Sequence, residues 1–173
     1  MVTPLKMKIM NQIYKWSRWA LGIIFIYAGI TKLMDPRVFA VLIEAYGIVP
    51  EGLIFPAAVL LPLIEVVAGL FIVFDIRGSL AVICGLTIFF MIILGYGIHM
   101  GLDVDCGCFG PEDPESRAFH GLRQAFIRDV FMLLDILFIY IWRRYQGIAP
   151  RFLRDFVTDL RSILYNRHGR TVF

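Results

Sequence analysis

The sequence predicts an all-α, polytopic membrane protein: a four-transmembrane-helix bundle with a short outer interfacial helix and a C-terminal cytoplasmic amphipathic helix. Three observations carry this. Of 173 residues, 59% are hydrophobic and only 18% charged, a balance too apolar for a soluble fold of this size. Four stretches, roughly Trp16 to Leu33, Leu53 to Phe74, Gly78 to Met100 and Leu122 to Arg144, can each supply the about 20 mostly apolar residues that cross a hydrocarbon core. Basic residues gather before the first stretch and after the last, which the positive-inside rule turns into an orientation.

The first stretch follows Lys6, Lys8, Lys15 and Arg18, the basic-then-apolar order of a signal peptide. It has no small-x-small exit site and stays apolar to Leu33, so it reads as a retained span. Residues 1–15 then form a cytoplasmic N-terminus and residues 16–144 the membrane domain. Arg143, Arg144, Arg151, Arg154, Arg161, Arg167 and Arg170 end or follow the fourth span, so both termini are expected on the cytoplasmic side of a bacterial inner membrane.

After Lys32, which can snorkel to the interface, Asp35-Pro36 has the form of an N-cap followed by proline at the first helical position. Phe39, Leu42, Ile43 and Tyr46 then make one apolar stripe before Gly47 and Pro50 stop the helix, which is expected in the outer interface. The second span holds Pro56, Pro62 and Glu65, with a kink expected at Pro62. Glu65 falls near mid-membrane, where a charge is costly and is either paired between helices or used to handle protons. Arg128 on the fourth span is its candidate partner.

Asp75-Ile-Arg77-Gly78 is a tight inner turn, and Cys84 on the third span reads as an apolar packing residue. On the fourth span Arg128 and Asp129 are adjacent and should diverge around the helix, so each, like Asp135, needs a partner on another span. Residues 145–173 form a basic tail in which Phe152, Phe156 and Leu160 make an apolar stripe among arginines, suited to the anionic cytoplasmic leaflet. No repeat, low-complexity stretch or soluble domain interrupts the pattern, and nucleic acid is not an expected partner. The oligomeric state is not legible.

Chemistry concentrates between the third and fourth spans, in Asp103-Val-Asp-Cys-Gly-Cys-Phe-Gly110. Asp103, Asp105, Glu112, Asp113 and Glu115 against Arg117 mark this as an outer loop, on the oxidising side where disulfides are normal. Two thiols one residue apart, Cys106 and Cys108, can close a small strained disulfide or share a soft metal, and Gly107 supplies the backbone freedom such a bend needs. A strained disulfide is relatively oxidising, and exchange then needs a thiolate, an accessible sulfur and a competent leaving thiol. Asp103 and Asp105 disfavour thiolate, which suits a loop acting from its oxidised form, with Asp105 as candidate base.

Three readings of the pair stand beside one another. The first is thiol-disulfide exchange with a periplasmic thiol protein. The second is soft-metal (copper or zinc) binding completed by His99 and His120, and the third is a structural disulfide, which would stabilise little across so short a loop. A non-enzymatic membrane subunit or maturation scaffold is the alternative class.

Arg18-Trp-Ala-Leu-Gly22, Tyr27-Ala-Gly-Ile-Thr-Lys32 with Asp35-Pro36, Pro62-Leu-Ile-Glu65 followed by Gly69, and Asp105-Cys-Gly-Cys-Phe-Gly110 together resemble the MauE branch of the DoxX-like membrane proteins. The resemblance covers most of residues 16–144 and is most specific in Cys-Gly-Cys-Phe-Gly. It implies a four-helix membrane protein of methylamine utilisation tied to periplasmic disulfide formation, MauE being linked to maturation of the disulfide-rich light chain of methylamine dehydrogenase. Other DoxX-like proteins act in quinone-linked sulfur oxidation. DsbB and the vitamin K epoxide reductases share the four-helix architecture by analogy only, and this chain lacks their second cysteine pair. A quinone held between the spans near Phe109, with Glu65 and Arg128 as the polar residues of the site, is the electron acceptor expected to restore the disulfide.

Overall fold

The computed structural model describes residues 4–102 and 121–152, with Arg154, Thr158 and Arg161. Its described residues are all-α, in five helices: α1 (Pro4–Met34), α2 (Pro36–Ala45), α3 (Glu51–Val73), α4 (Ser79–Met100) and α5 (Leu122–Gln146). Two of them, α3 and α4, are by length and hydropathy able to cross a membrane. The N-terminal half of α1 and the charged residues of α5 dilute those two helices, yet their outward faces are apolar too. Ile23, Ile30, Ile127, Phe131, Leu134 and Leu137 are as exposed as Leu60, Leu63, Ile88 and Ile92 on α3 and α4.

Local chemistry accounts for the helix ends. Pro36 stands in the first turn of α2, where its missing N–H costs nothing, and Asp35 Oδ1 accepts from the Val38 N–H at 3.3 Å. Gly101 closes α4 with φ +66°, a conformation glycine adopts without penalty. The third helix runs unbroken through Pro56 and Pro62.

Glycine lets α1 and α3 approach almost backbone to backbone. A Cβ on Gly22 would lie 2.9 Å from the Gly69 carbonyl oxygen, one on Gly69 2.8 Å from that of Gly22, and one on Gly29 2.7 Å from that of Pro62. Small residues at a crossing give membrane helices the van der Waals contact that apolar burial cannot supply in lipid. The other principal pairing joins α4 to α5.

Two apolar clusters fill the bundle. Leu21, Phe25, Ile72, Ile83, Ile139 and Trp142 pack together in the larger, with Cys84 against them as a free thiol. Leu94, Leu122 and Ala125, with Tyr46 and Leu102 packed on them, form the smaller one at the end that bears α2.

The opposite end is locked by a charged turn. Asp75, in the left-handed region at φ +60°, pairs with Arg18 of α1 at 2.6 Å and with Arg143 of α5. The Arg151 N–H donates to the Asp75 carbonyl and the Arg77 N–H to the Arg151 carbonyl, both at 2.9 Å, an isolated bridge that ties the start of the tail to the turn. The first helix begins at Pro4, twelve residues before the predicted span, because its early turns have partners: Trp142 Nε1 donates to Asn11 Oδ1 at 2.9 Å, and Tyr14 is buried. Beyond Phe152 only three tail residues are described, so the expected tail helix lies mostly outside the described residues.

Candidate functional site

Lys32 ends α1 one turn before the chain enters α2, and the glycine-mediated crossing carries it over α3. Its Nζ lies 2.6 Å from Glu65 Oε1, with the two side chains only 4% and 1% exposed. The same ammonium sits 4.7 Å from the ring centroid of Phe90 on α4 and 5.3 Å from that of Phe39 on α2. Aromatic faces attract a cation, most strongly where water is excluded. The negative faces of two rings and one carboxylate thus surround this buried charge.

Two more charges complete the cluster. Arg128 Nε and Nη2 both approach Asp129 Oδ1 at 3.4 Å. Arg128, Asp129, Lys32 and Glu65 line one small cavity of about 30 Å³. Two acids and two bases from three helices, α1, α3 and α5, therefore sum to no net charge. Glu65 Oε2 is buried without a hydrogen-bond partner.

On its other side Lys32 forms the polar end of a larger cavity of about 200 Å³ between α2, α3 and α4. The apolar stripe of α2, Phe39, Leu42, Ile43 and Tyr46, makes one wall, and Ala57, Leu61, Phe89, Phe90 and Leu94 make the rest. Tyr46 also packs in the cluster that holds Leu94, Leu102 and Leu122. A Cβ on Gly97 would lie 2.8 Å from the Tyr46 ring and 3.2 Å from Leu122, so the last turn of α4 and the first residue of α5 meet at Tyr46, the residue that follows α2.

The structure thus corrects three expectations drawn from the sequence. The cation bonded to Glu65 is Lys32, with Arg128 a neighbour in the same cavity. Lys32 accordingly is buried instead of extending outward, because Phe39 of α2 folds over it and Glu65 supplies its counter-charge. Arg128 and Asp129 do not diverge: the long guanidinium side chain folds back to its neighbour. Asp135 does find a partner on another helix, Ser17 of α1.

Cys106, Cys108, Asp105 and Phe109, together with His120, lie outside the described residues. His99 is exposed in the last turn of α4. Among the described residues no three His, Cys, Asp or Glu side chains gather as a metal site. Sequence reasoning overlooked the Asp75 clamp; the signal for it was an acidic residue in a tight inner turn, with Arg18 and Arg143 at the inner ends of the first and fourth predicted spans.

No curated protein and no solved structure matches the chain. The model of the family described as methylamine utilisation protein MauE matches residues 10–143, a segment that contains the glycine crossing, the Lys32–Glu65 pair and the cysteine loop, and the chain belongs to that family.

Proposed function

We propose that this protein is a four-span inner-membrane thiol-disulfide redox protein that supports disulfide formation in a periplasmic partner through Cys106 and Cys108. In this reading α1, α3, α4 and α5 cross the bilayer, α2 lies in the outer interface, both termini are cytoplasmic, and residues 145–173 form a basic tail on the inner leaflet. The apolar outward faces of all four long helices support the four spans, since lipid covers such surfaces and water does not. Membership of a methylamine-utilisation family supports a maturation role.

The observation that carries the reading is that the last turn of α4 and the first residue of α5, which flank the cysteine segment in sequence, meet at Tyr46 and its cavity. The chemistry is two-electron exchange. A partner thiolate attacks one sulfur of the Cys106–Cys108 disulfide, the other sulfur leaves as thiolate, and the partner's second thiolate resolves the mixed disulfide. The partner departs oxidised and the loop is left as a dithiol, with Asp105 positioned in sequence to accept or return the proton. A membrane quinone is the acceptor that restores the disulfide.

The test is a trapping experiment in cells that make the partner. Cys106→Ser and Cys108→Ser single variants should each be examined for a mixed disulfide, and at least one should yield a reducible adduct with a periplasmic protein. Normal disulfide formation in the partner when both cysteines are replaced would instead assign the chain a scaffold role. A stoichiometric copper or zinc ion in the purified chain with no adduct from either variant would assign the loop to metal.

A further inference from the structure

We propose that the cavity between α2, α3 and α4 binds the ring of a membrane quinone, with the Lys32 ammonium donating a hydrogen bond to a ring carbonyl. The inference deepens the redox reading and rests on it for its purpose, since it names where the electrons of the loop dithiol go.

Size is the first argument. An apolar cavity of about 150 Å³ accepts benzene, and drug-sized ligands need about 300 Å³ or more. At about 200 Å³ this cavity suits one substituted six-membered ring.

The walls are the second argument. Phe39, Phe89, Phe90 and Tyr46 present aromatic surface to the space, against which a flat ring stacks or packs edge to face. Polarity is the third, and it discriminates most. Among the described residues the only charged group lining the cavity is Lys32, and its only hydrogen-bond partner among them is one Glu65 oxygen, whereas an ammonium carries three donors. An acyl chain would leave that donor unused, whereas a ring bearing a carbonyl satisfies it. A buried ion pair is weak evidence for stability, and an ionisable group at membrane depth marks a functional site by default.

Position is the fourth. Tyr46 belongs both to the cavity and to the cluster that holds Leu102 and Leu122, so the cavity adjoins residues that flank in sequence the segment with Cys106 and Cys108. When bound, the quinone supplies two-electron acceptor chemistry: the two thiols become one disulfide, and their two electrons and two protons leave with the quinol. Lys32 orients the ring and holds a proton at its carbonyl oxygen. Glu65 and the flanking rings hold the ammonium in place.

The experiment uses the full chain in lipid nanodiscs and a short-tailed azido-benzoquinone, with photo-adducts mapped by mass spectrometry. Adducts within Phe39–Tyr46 or Phe89–Leu94, displaced by unlabelled quinone, are expected. Ala57→Phe, which fills the cavity, should lower labelling at least tenfold. The paired replacement Lys32→Met with Glu65→Met leaves no uncompensated charge and should weaken binding at least tenfold with helix content and elution volume unchanged.

Adducts elsewhere, labelling undiminished in both of these variants, or equal labelling of the cavity by a photoreactive fatty acid would overturn the proposal. Cys106→Ser with Cys108→Ser should bind as the parent chain does. Competed labelling in a chain whose cysteines never trap a partner would sink the redox reading and keep the site. A trapped partner without competed labelling would do the reverse.

Discussion

Lys32 and Glu65, thirty-three positions apart in sequence, meet at 2.6 Å where α1 crosses α3, and each is almost wholly buried. Removing one member leaves a buried charge without its counter-ion, whereas removing both leaves an apolar contact. Lys32→Met and Glu65→Leu should each cost about 3–5 kcal/mol of stability, and the double variant much less than their sum. Unfolding in detergent followed by circular dichroism would check this. Additive losses would mean that the two charges act independently.

The crossing that brings the pair together depends on Gly22 and Gly69. Gly22→Ala places a methyl group 2.5 Å from Val73 Cγ2 and 2.9 Å from a carbonyl oxygen, so the helices must separate. A loss of about 1–3 kcal/mol is expected, as for other overpacked contacts. Gly85→Ala is the control, since a Cβ there meets nothing within 4 Å, and should be neutral or stabilising by up to about 1 kcal/mol. Equal effects of the two substitutions would remove the close approach as the cause.

Asp75 holds Arg18 and Arg143 together at the other end of the bundle. Asparagine tolerates the same left-handed backbone, so Asp75→Asn isolates the loss of charge. We expect it to cost about 1.5–3 kcal/mol, the range for hydrogen bonds to charged groups. Arg18→Ala should add little on the Asp75→Asn background. A full additional loss there would show that Arg18 is held mainly by its hydrogen bond to the Val73 carbonyl.

The proposed orientation puts the cysteine loop outside. In a Cys84→Ser background, a membrane-impermeant maleimide should label Cys106 or Cys108 of reduced, intact spheroplasts to more than half of the extent seen after solubilisation. Labelling confined to opened membranes would invert the topology and with it the periplasmic partner.

Glycine and proline mark most helix ends in the sequence, and the Asp35-Pro36 signal lies where α2 begins. The resemblance carried by Cys-Gly-Cys-Phe-Gly and its companion motifs agrees with the family match. Half of the polar site was legible as well, because Glu65 and Arg128 stand out as charges inside apolar runs and do share a cavity. Lys32 was assigned to the interface because a lysine near a span end has a free route there, and only the fold closes that route.

Hydrophobic runs, caps and breakers are local, so the order of residues alone makes it legible that the chain is helical, where its helices divide and which residues are costly to bury. Which charges pair was decided by tertiary structure, since pairing depends on how far two helices approach and in what register. The contacts of Gly22 with Gly69 and of Gly29 with Pro62 set both quantities for α1 and α3. Folding α2 across that crossing then turned an exposed apolar stripe into the wall of a cavity with one ammonium at its end. A rotation of one residue on either helix would turn a side chain by about 100°, carry Lys32 away from Glu65, and leave each charge buried alone.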